Sequence, residues 1–143
     1  MRKPCGLLCF TLLLILQACG PGDQSSRVRP LLDRYVGYWN SGNFQGIESV
    51  VDGRFQFRMS PTFEPTIGIN SLKEEISKTR ATFAAFHITI EEVVGNERAL
   101  AARWTITARQ AGKHSSQWRP VTFRGISLFH IENGKLMDEW VAQ

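Results

Sequence analysis

The most constraining part of this chain is its last stretch, where two alternating runs meet at Asn133-Gly134. Asn-Gly is the strongest short hairpin signal, because a type I′ turn needs positive φ at both central residues and these two adopt it readily. Val121 to Glu132 reads as the strand before the turn, and Lys135 to Ala142 as the strand after it. A two-residue turn sets Glu132 opposite Lys135, Ile131 opposite Leu136, His130 opposite Met137, Phe129 opposite Asp138 and Ser127 opposite Trp140. Alternate residues share a face. One face then carries Ser127, Phe129, Ile131, Leu136, Asp138 and Trp140. The other carries Leu128, His130, Met137 and Glu139, with His130 and Glu139 diagonal and in reach of each other.

Two further strands, Phe86 to Val94 and Arg98 to Arg109, precede this hairpin around a Gly95-Asn96 turn, and Ala111 to Gln117 reads as a polar loop. The first half is mainly helical. Val28, Leu31, Leu32, Tyr35, Val36 and Trp39 fall at helical spacing and predict a helix from Val28 to Asn40. Ser26 can cap it, Pro30 is acceptable in its first turn, and Ser41-Gly42-Asn43 stops it. A short helix follows over Phe44 to Val51, then a strand over Arg54 to Met59. Ser60 to Asn70 reads as loop. Ser71 and Glu74 have capping-box spacing, which predicts a third helix to Phe83. Helices first and strands later give an α+β class.

A different kind of segment stands ahead of this domain. Arg2 and Lys3 precede an apolar run of 12 residues, Cys5 to Leu16, and then Ala18. That is the layout of a secretory signal, and it is too short for the roughly 20 apolar residues of a membrane span. Leu16-Gln17-Ala18-Cys19 resembles the bacterial lipoprotein signal. The resemblance implies cleavage before Cys19, acylation there (palmitate among the chains) and anchoring in the lipid bilayer. Gly20, rather than an aspartate, follows the cysteine, which implies the outer membrane over the inner one, with the domain facing the periplasm. An ordinary secretory signal with an incidental cysteine is the alternative. Gly20 to Ser26 reads as a flexible tether, and residues 27–143 as the folded domain.

All 3 cysteines lie in the signal or at its end, so the domain offers none for a disulfide, zinc or a thiol nucleophile. There is no His-x-x-x-His, no Gly-rich phosphate loop and no Gly-x-Ser-x-Gly elbow, so neither a metal nor a cofactor is expected. Without Arg2 and Lys3, the 17 Lys and Arg fall to 15, against 13 Asp and Glu. No basic run stands out, which excludes nucleic acid as the expected partner.

The order of helix, short helix, strand, helix and strand meander resembles the SnoaL-like branch of the nuclear transport factor two-like superfamily. Tyr35, Trp39, Asn40 and Gly42-Asn43-Phe44 carry part of that resemblance, with Gly68, Ala101 to Thr105 and above all Gly125 to Trp140. It covers roughly residues 28–143. It implies a cone-shaped, curved antiparallel sheet wrapped around the N-terminal helices (a cystatin-like roll). It also implies an apolar pocket and often a homodimer formed through the sheet's outer face. The family holds polyketide cyclases, ketosteroid isomerase-like enzymes, epoxide hydrolases, dehydratases and members that only bind, so the fold does not fix the activity. In the cyclases an acid soon after the final tryptophan can act in catalysis; Val141, Ala142 and Gln143 supply no counterpart.

Two sets of residues are candidates for chemistry. Asp138, beside Phe129 and Trp140, would have a raised pKa in an apolar cone and could shuttle protons; otherwise it is a partly exposed strand carboxylate. His130 with Glu139 could form an oriented base; otherwise it is a surface or interface pair. His87 is read as exposed, and His114 as a loop residue. Tyr35, Trp39, Phe55, Phe57, Trp104, Phe129 and Trp140 are candidate pocket walls, and core filling is the plainer reading of such rings. Trp118 could close the mouth. The expected function is a lipid-anchored envelope protein that binds a small, largely apolar molecule or a protein partner without catalysis. An isomerase- or cyclase-like proton-transfer enzyme is the alternative, and a structural partner in an envelope complex the third reading. A carboxylate or histidine aimed into an enclosed pocket would favour the enzyme.

Overall fold

The computed structural model describes residues 24–59, 64–111 and 117–143. The signal segment, Cys19, the first tether residues and His114 lie outside the described residues. In chain order come α1 (Ser25–Ser41), a 3-10 turn (Ile47–Ser49), β1 (Val51–Arg58), β2 (Thr66–Ile67) and α2 (Ile69–Thr82). Then follow β3 (Phe83–Gly95), β4 (Ala99–Ala111), β5 (Trp118–Glu132) and β6 (Lys135–Ala142). The strands form one curved, unclosed sheet in the order β2-β1-β6-β5-β4-β3. Every pairing is antiparallel except that of β1 with β6, which is parallel. This is the expected α+β architecture.

Leu32 and Tyr35 of α1 and Leu72 and Ile76 of α2 join Phe55, Leu100, Phe129 and Leu136 of the sheet in one core. Each such apolar side chain contributes roughly 1.5–3 kcal/mol on burial. The end of α1 is tied to the sheet by Asn40. Its side-chain amide donates to the Ile88 carbonyl at 2.9 Å and its oxygen accepts the Ile88 N–H at 2.7 Å. These bonds lie just beyond the point where the β3–β4 ladder shifts register, between Ala84 and His87, around Ala85 at φ 52. Arg80 of α2 donates to the Trp39 and Asn40 carbonyls, satisfying groups a helix C-terminus leaves open.

Several boundaries differ from expectation. Ser25 and Ser26, expected in the tether, are helical, so Pro30 lies inside α1 and not in its first turn. Ser25 does its work at the sheet instead: its hydroxyl accepts the Gly95 N–H at 3.2 Å. The short helix contracts to Ile47–Ser49, because Val51 is already paired with Leu136. The capping box is not used. α2 starts from Gly68 at φ 87, which makes no side-chain cap, and Ser71 lies within the helix. Gly68 also donates its N–H to Phe55 at 2.8 Å, which fixes the approach of β2 to β1.

The largest departure is in the terminal hairpin. Asn133 at φ 50 and Gly134 at φ 74 form the expected turn, and Glu132–Lys135 and Ile131–Leu136 pair as expected. Beyond them Met137 is an extra residue. His130 therefore opposes Asp138, Phe129 opposes Glu139, Leu128 opposes Trp140 and Ser127 opposes Val141. A one-residue bulge turns every later side chain to the opposite face. Glu139, and not Asp138 or Trp140, thus shares the inner face with Ser127 and Phe129. The reason lies on the other edge of β6. Its parallel ladder with β1 shifts at the same level, between Val51–Leu136 and Gln56–Asp138, so both neighbours accommodate the bulge together.

Candidate active site

Between the helices and the inner sheet face lies a cavity of about 300 Å³. Of the expected wall residues, Tyr35, Trp39, Phe57, Trp104 and Phe129 line it. Phe55 does not; it packs behind Tyr35, ring centroids 5.8 Å apart. Trp140 is on the outer face, 41% exposed, with the Arg58 guanidinium 4.8 Å over its ring. Trp118, also exposed, is not part of the wall. β3 adds Phe86, Ile88 and Ile90, which sequence reading had not assigned to the pocket.

Glu139 is the buried acid of this wall, 7% exposed. Tyr35 donates its hydroxyl to Oε2 at 2.5 Å, and Ser127 donates to Oε1 at 2.6 Å. Ser127 in turn accepts the Trp104 indole N–H at 2.9 Å. Burial pushes the Glu139 carboxyl up to about 7, although the bonds from Ser127 and Tyr35 pull the other way. Burial, reinforced by the adjoining carboxylate, holds the Tyr35 hydroxyl well above its ordinary value. Tyr35 therefore stays a proton donor, while Glu139 changes charge near neutrality. A carboxylate with such a pKa on an apolar wall can take a proton from carbon and return it.

The other acid–base candidates lie elsewhere. His130 Nδ1 meets Asp138 at 2.8 and 3.0 Å on the outer face, and the His130 backbone N–H also donates to Asp138 at 3.1 Å. The expected His130–Glu139 pair does not form, because the bulge puts these side chains on opposite faces. Around His130 and Asp138 are Arg54, Gln56 and Arg98, in a polar surface depression. His87 is exposed. Ser127 and the indole N–H of Trp104 are the functional groups sequence reading missed. Their pairing needs the β4–β5 register, which no local pattern carries.

The comparisons agree with this fold. Residues 29–143 match the family described as SnoaL-like polyketide cyclase. TsrD from Streptomyces laurentii superposes with a TM-score of 0.67 at 21% identity, covering 82% of this chain and 87% of that one. A SnoaL-like polyketide cyclase from Agrobacterium tumefaciens gives a TM-score of 0.68 at 18% identity, over 80% and 89% of the two chains. A protein with a ketosteroid isomerase-like fold from Catenulispora acidiphila gives 0.67 at 10% identity, over 79% and 84%. No curated protein shows significant sequence similarity to the chain. At these identities the neighbours speak for the fold, and the match over 29–143 speaks for the family: this chain belongs to the SnoaL-like polyketide cyclase family, in the nuclear transport factor two-like superfamily.

Proposed function

We propose that this protein catalyses proton transfer at a carbon next to a carbonyl, in a small, uncharged and largely apolar substrate, with Glu139 as the base. The observation that carries this reading is a buried carboxylate, bonded by Tyr35 and Ser127, on the wall of an apolar cavity. Ionised Glu139 takes the proton, the C–H electron pair moves into the adjoining carbonyl, and an enolate forms. Where a C=C adjoins that carbon, the enolate extends over it, and returning the proton from Glu139 to the far carbon shifts the double bond and isomerises the substrate. Attack of the enolate carbon on a second carbonyl of the same molecule closes a ring instead, and the alkoxide left on that carbonyl oxygen takes the proton back from Glu139. Among the described lining residues, Glu75 and Glu139 are acidic and none is Lys, Arg or His. An anionic guest would face both carboxylates without a counter-charge, which selects against it.

Binding without catalysis is the second reading. The cavity supports it, but it leaves the buried acid, which is costly to hold, without a role. The test is hydrogen–deuterium exchange followed by proton NMR, using a panel of uncharged ketones and β-dicarbonyls and their carboxylated analogues. The chain is expected to speed loss of the α-proton signal for the uncharged set. The rate should rise with pH through about 7, as Glu139 ionises. A flat profile, or no acceleration anywhere on the panel, would overturn the catalytic reading.

The Leu16-Gln17-Ala18-Cys19 signature supports a location for this activity: the envelope, with the domain tethered by acyl chains at Cys19 and facing the periplasm. Expressed in a bacterial host, the chain is expected to incorporate labelled palmitate, and Cys19→Ser to incorporate none. Equal labelling of the two would remove the anchor.

A further inference from the structure

We infer that Gly125, Trp104 and Ser127 form a built positioning device for Glu139, in which the missing side chain at 125 seats an indole that aims the Ser127 hydroxyl at the carboxylate. The inference rests on the reading of Glu139 as the proton carrier and adds residues that act through it. Gly125 stands opposite Trp104 in the β4–β5 ladder. A Cβ there would lie 2.5 and 2.6 Å from Trp104 Cζ2 and Cη2, and 2.5 Å from the Ala142 carbonyl oxygen. The backbone at 125 is ordinary, so the glycine supplies space and not conformational freedom. Glycine weakens a strand interior, and close approach by another group is the usual reason to find one there.

The space is filled by the indole, which reaches past Gly125 to the next inward residue, Ser127. An indole N–H can only donate. The Ser127 oxygen accepts it, and the serine hydrogen goes to Glu139 Oε1. Tyr35 holds Oε2 from the opposite side. The carboxylate plane is thereby fixed between a strand and a helix, the preorganisation that proton transfer from a bound substrate needs. Among the described residues, Ser127 and Tyr35 are the side chains bonded to this carboxylate. Among the described side chains, Tyr35 of α1 and Glu75 of α2 are the other titratable groups facing the cavity, β1 opposes Glu139 with Phe57, and β5 with Phe129. With no cation among these residues, the donors alone favour the ionised form. The indole strengthens one of them, because linked hydrogen bonds polarise each other.

The test follows the carboxylic C=O infrared band of Glu139 against pH, the band being identified by its loss in Glu139→Gln. The wild type should titrate near 7. Ser127→Ala should raise the midpoint by about one pH unit, the worth of a hydrogen bond to a charged group. Trp104→Phe should raise it by a few tenths of a unit, since Ser127 then keeps its hydroxyl and loses its aim. Gly125→Ala should match or exceed Trp104→Phe, and Ser127→Thr should restore a midpoint close to wild type. Circular dichroism checks that each variant is folded, and Trp104→Phe, which only removes bulk, carries the test if Gly125→Ala is not. Unmoved midpoints in both Ser127→Ala and Trp104→Phe, or no titrating band in the wild type, would overturn the inference. The readout needs no substrate. Absent α-proton exchange with shifted midpoints would therefore sink the catalytic reading alone, and intact exchange with unmoved midpoints would sink the positioning device alone.

Discussion

Glu139→Gln is expected to lower α-proton exchange by about a thousandfold, within the roughly hundred- to ten-thousandfold range of general-base catalysis, while ligand capture and fold persist. Glutamine has nearly the same shape, and its side-chain oxygen can still accept a bond from Tyr35 or Ser127. It cannot take up a proton near neutrality. Ligand-induced shifts of the melting temperature should therefore survive in the variant while exchange is lost. Asp138→Asn and His130→Ala provide the control. They remove the other acid–base pair, which lies on the outer sheet face, and exchange should continue at the wild-type rate. Wild-type exchange in Glu139→Gln, or its collapse in Asp138→Asn, would move the chemistry out of the cavity.

The second large effect is on stability. The carboxyl of Glu139 sits at about 7 in the folded chain, against an ordinary 4.5. Between those two values the folded state keeps a proton that the unfolded state has released. Stability rises with pH only where the unfolded state binds more protons, so here it falls. The fall runs from about pH 4.5 to about pH 7 and totals roughly 3 kcal/mol at 1.36 kcal/mol per unit; above that window the loss stays constant. Glu139→Gln has no such proton to release. Urea unfolding of both proteins across pH should show the wild type weakening relative to the variant through this window, with the full difference in place by pH 8. Glu48 and Asp52 do not confuse the result: hydrogen bonds to backbone N–H groups hold them below their ordinary values, so they act at more acidic pH and equally in both proteins. A constant difference between the two proteins from pH 4.5 to 8 would mean that Glu139 is ionised throughout.

The parts of this molecule that depend on near neighbours can be read from its residues. The apolar stripe of α1, the Asn133-Gly134 turn and the first two pairs of the hairpin all follow from spacing and turn chemistry. The resemblance carried by Gly125 to Trp140 supplied the cavity. What spacing could not supply is the inward acid. Leu136 and Val141 both turn towards the core side, yet they are an odd five residues apart, which no regular strand can bury on one face. Only an interruption between them can, and whether β6 tolerates one depends on β1, about eighty residues earlier in the chain. A strict period of two instead sends Asp138 and Trp140 inward. The capping box at Ser71 failed for a similar reason. Pairing of β2 with β1 fixes the path into α2 at Gly68, and the helix begins before its own best cap.

The extra residue at Met137 also bears on how relatives should be compared. Asp138 and Glu139 are neighbouring carboxylates, and the number of residues between the turn and the acid, odd or even, decides which one faces the cavity. A cousin whose hairpin runs without the interruption would have to carry its acid one place nearer the turn to keep it in the hollow. Matching such chains column by column, letter against letter, would then align inward acids with outward ones. Counting from Asn133-Gly134 along the paired strands gives the sounder correspondence.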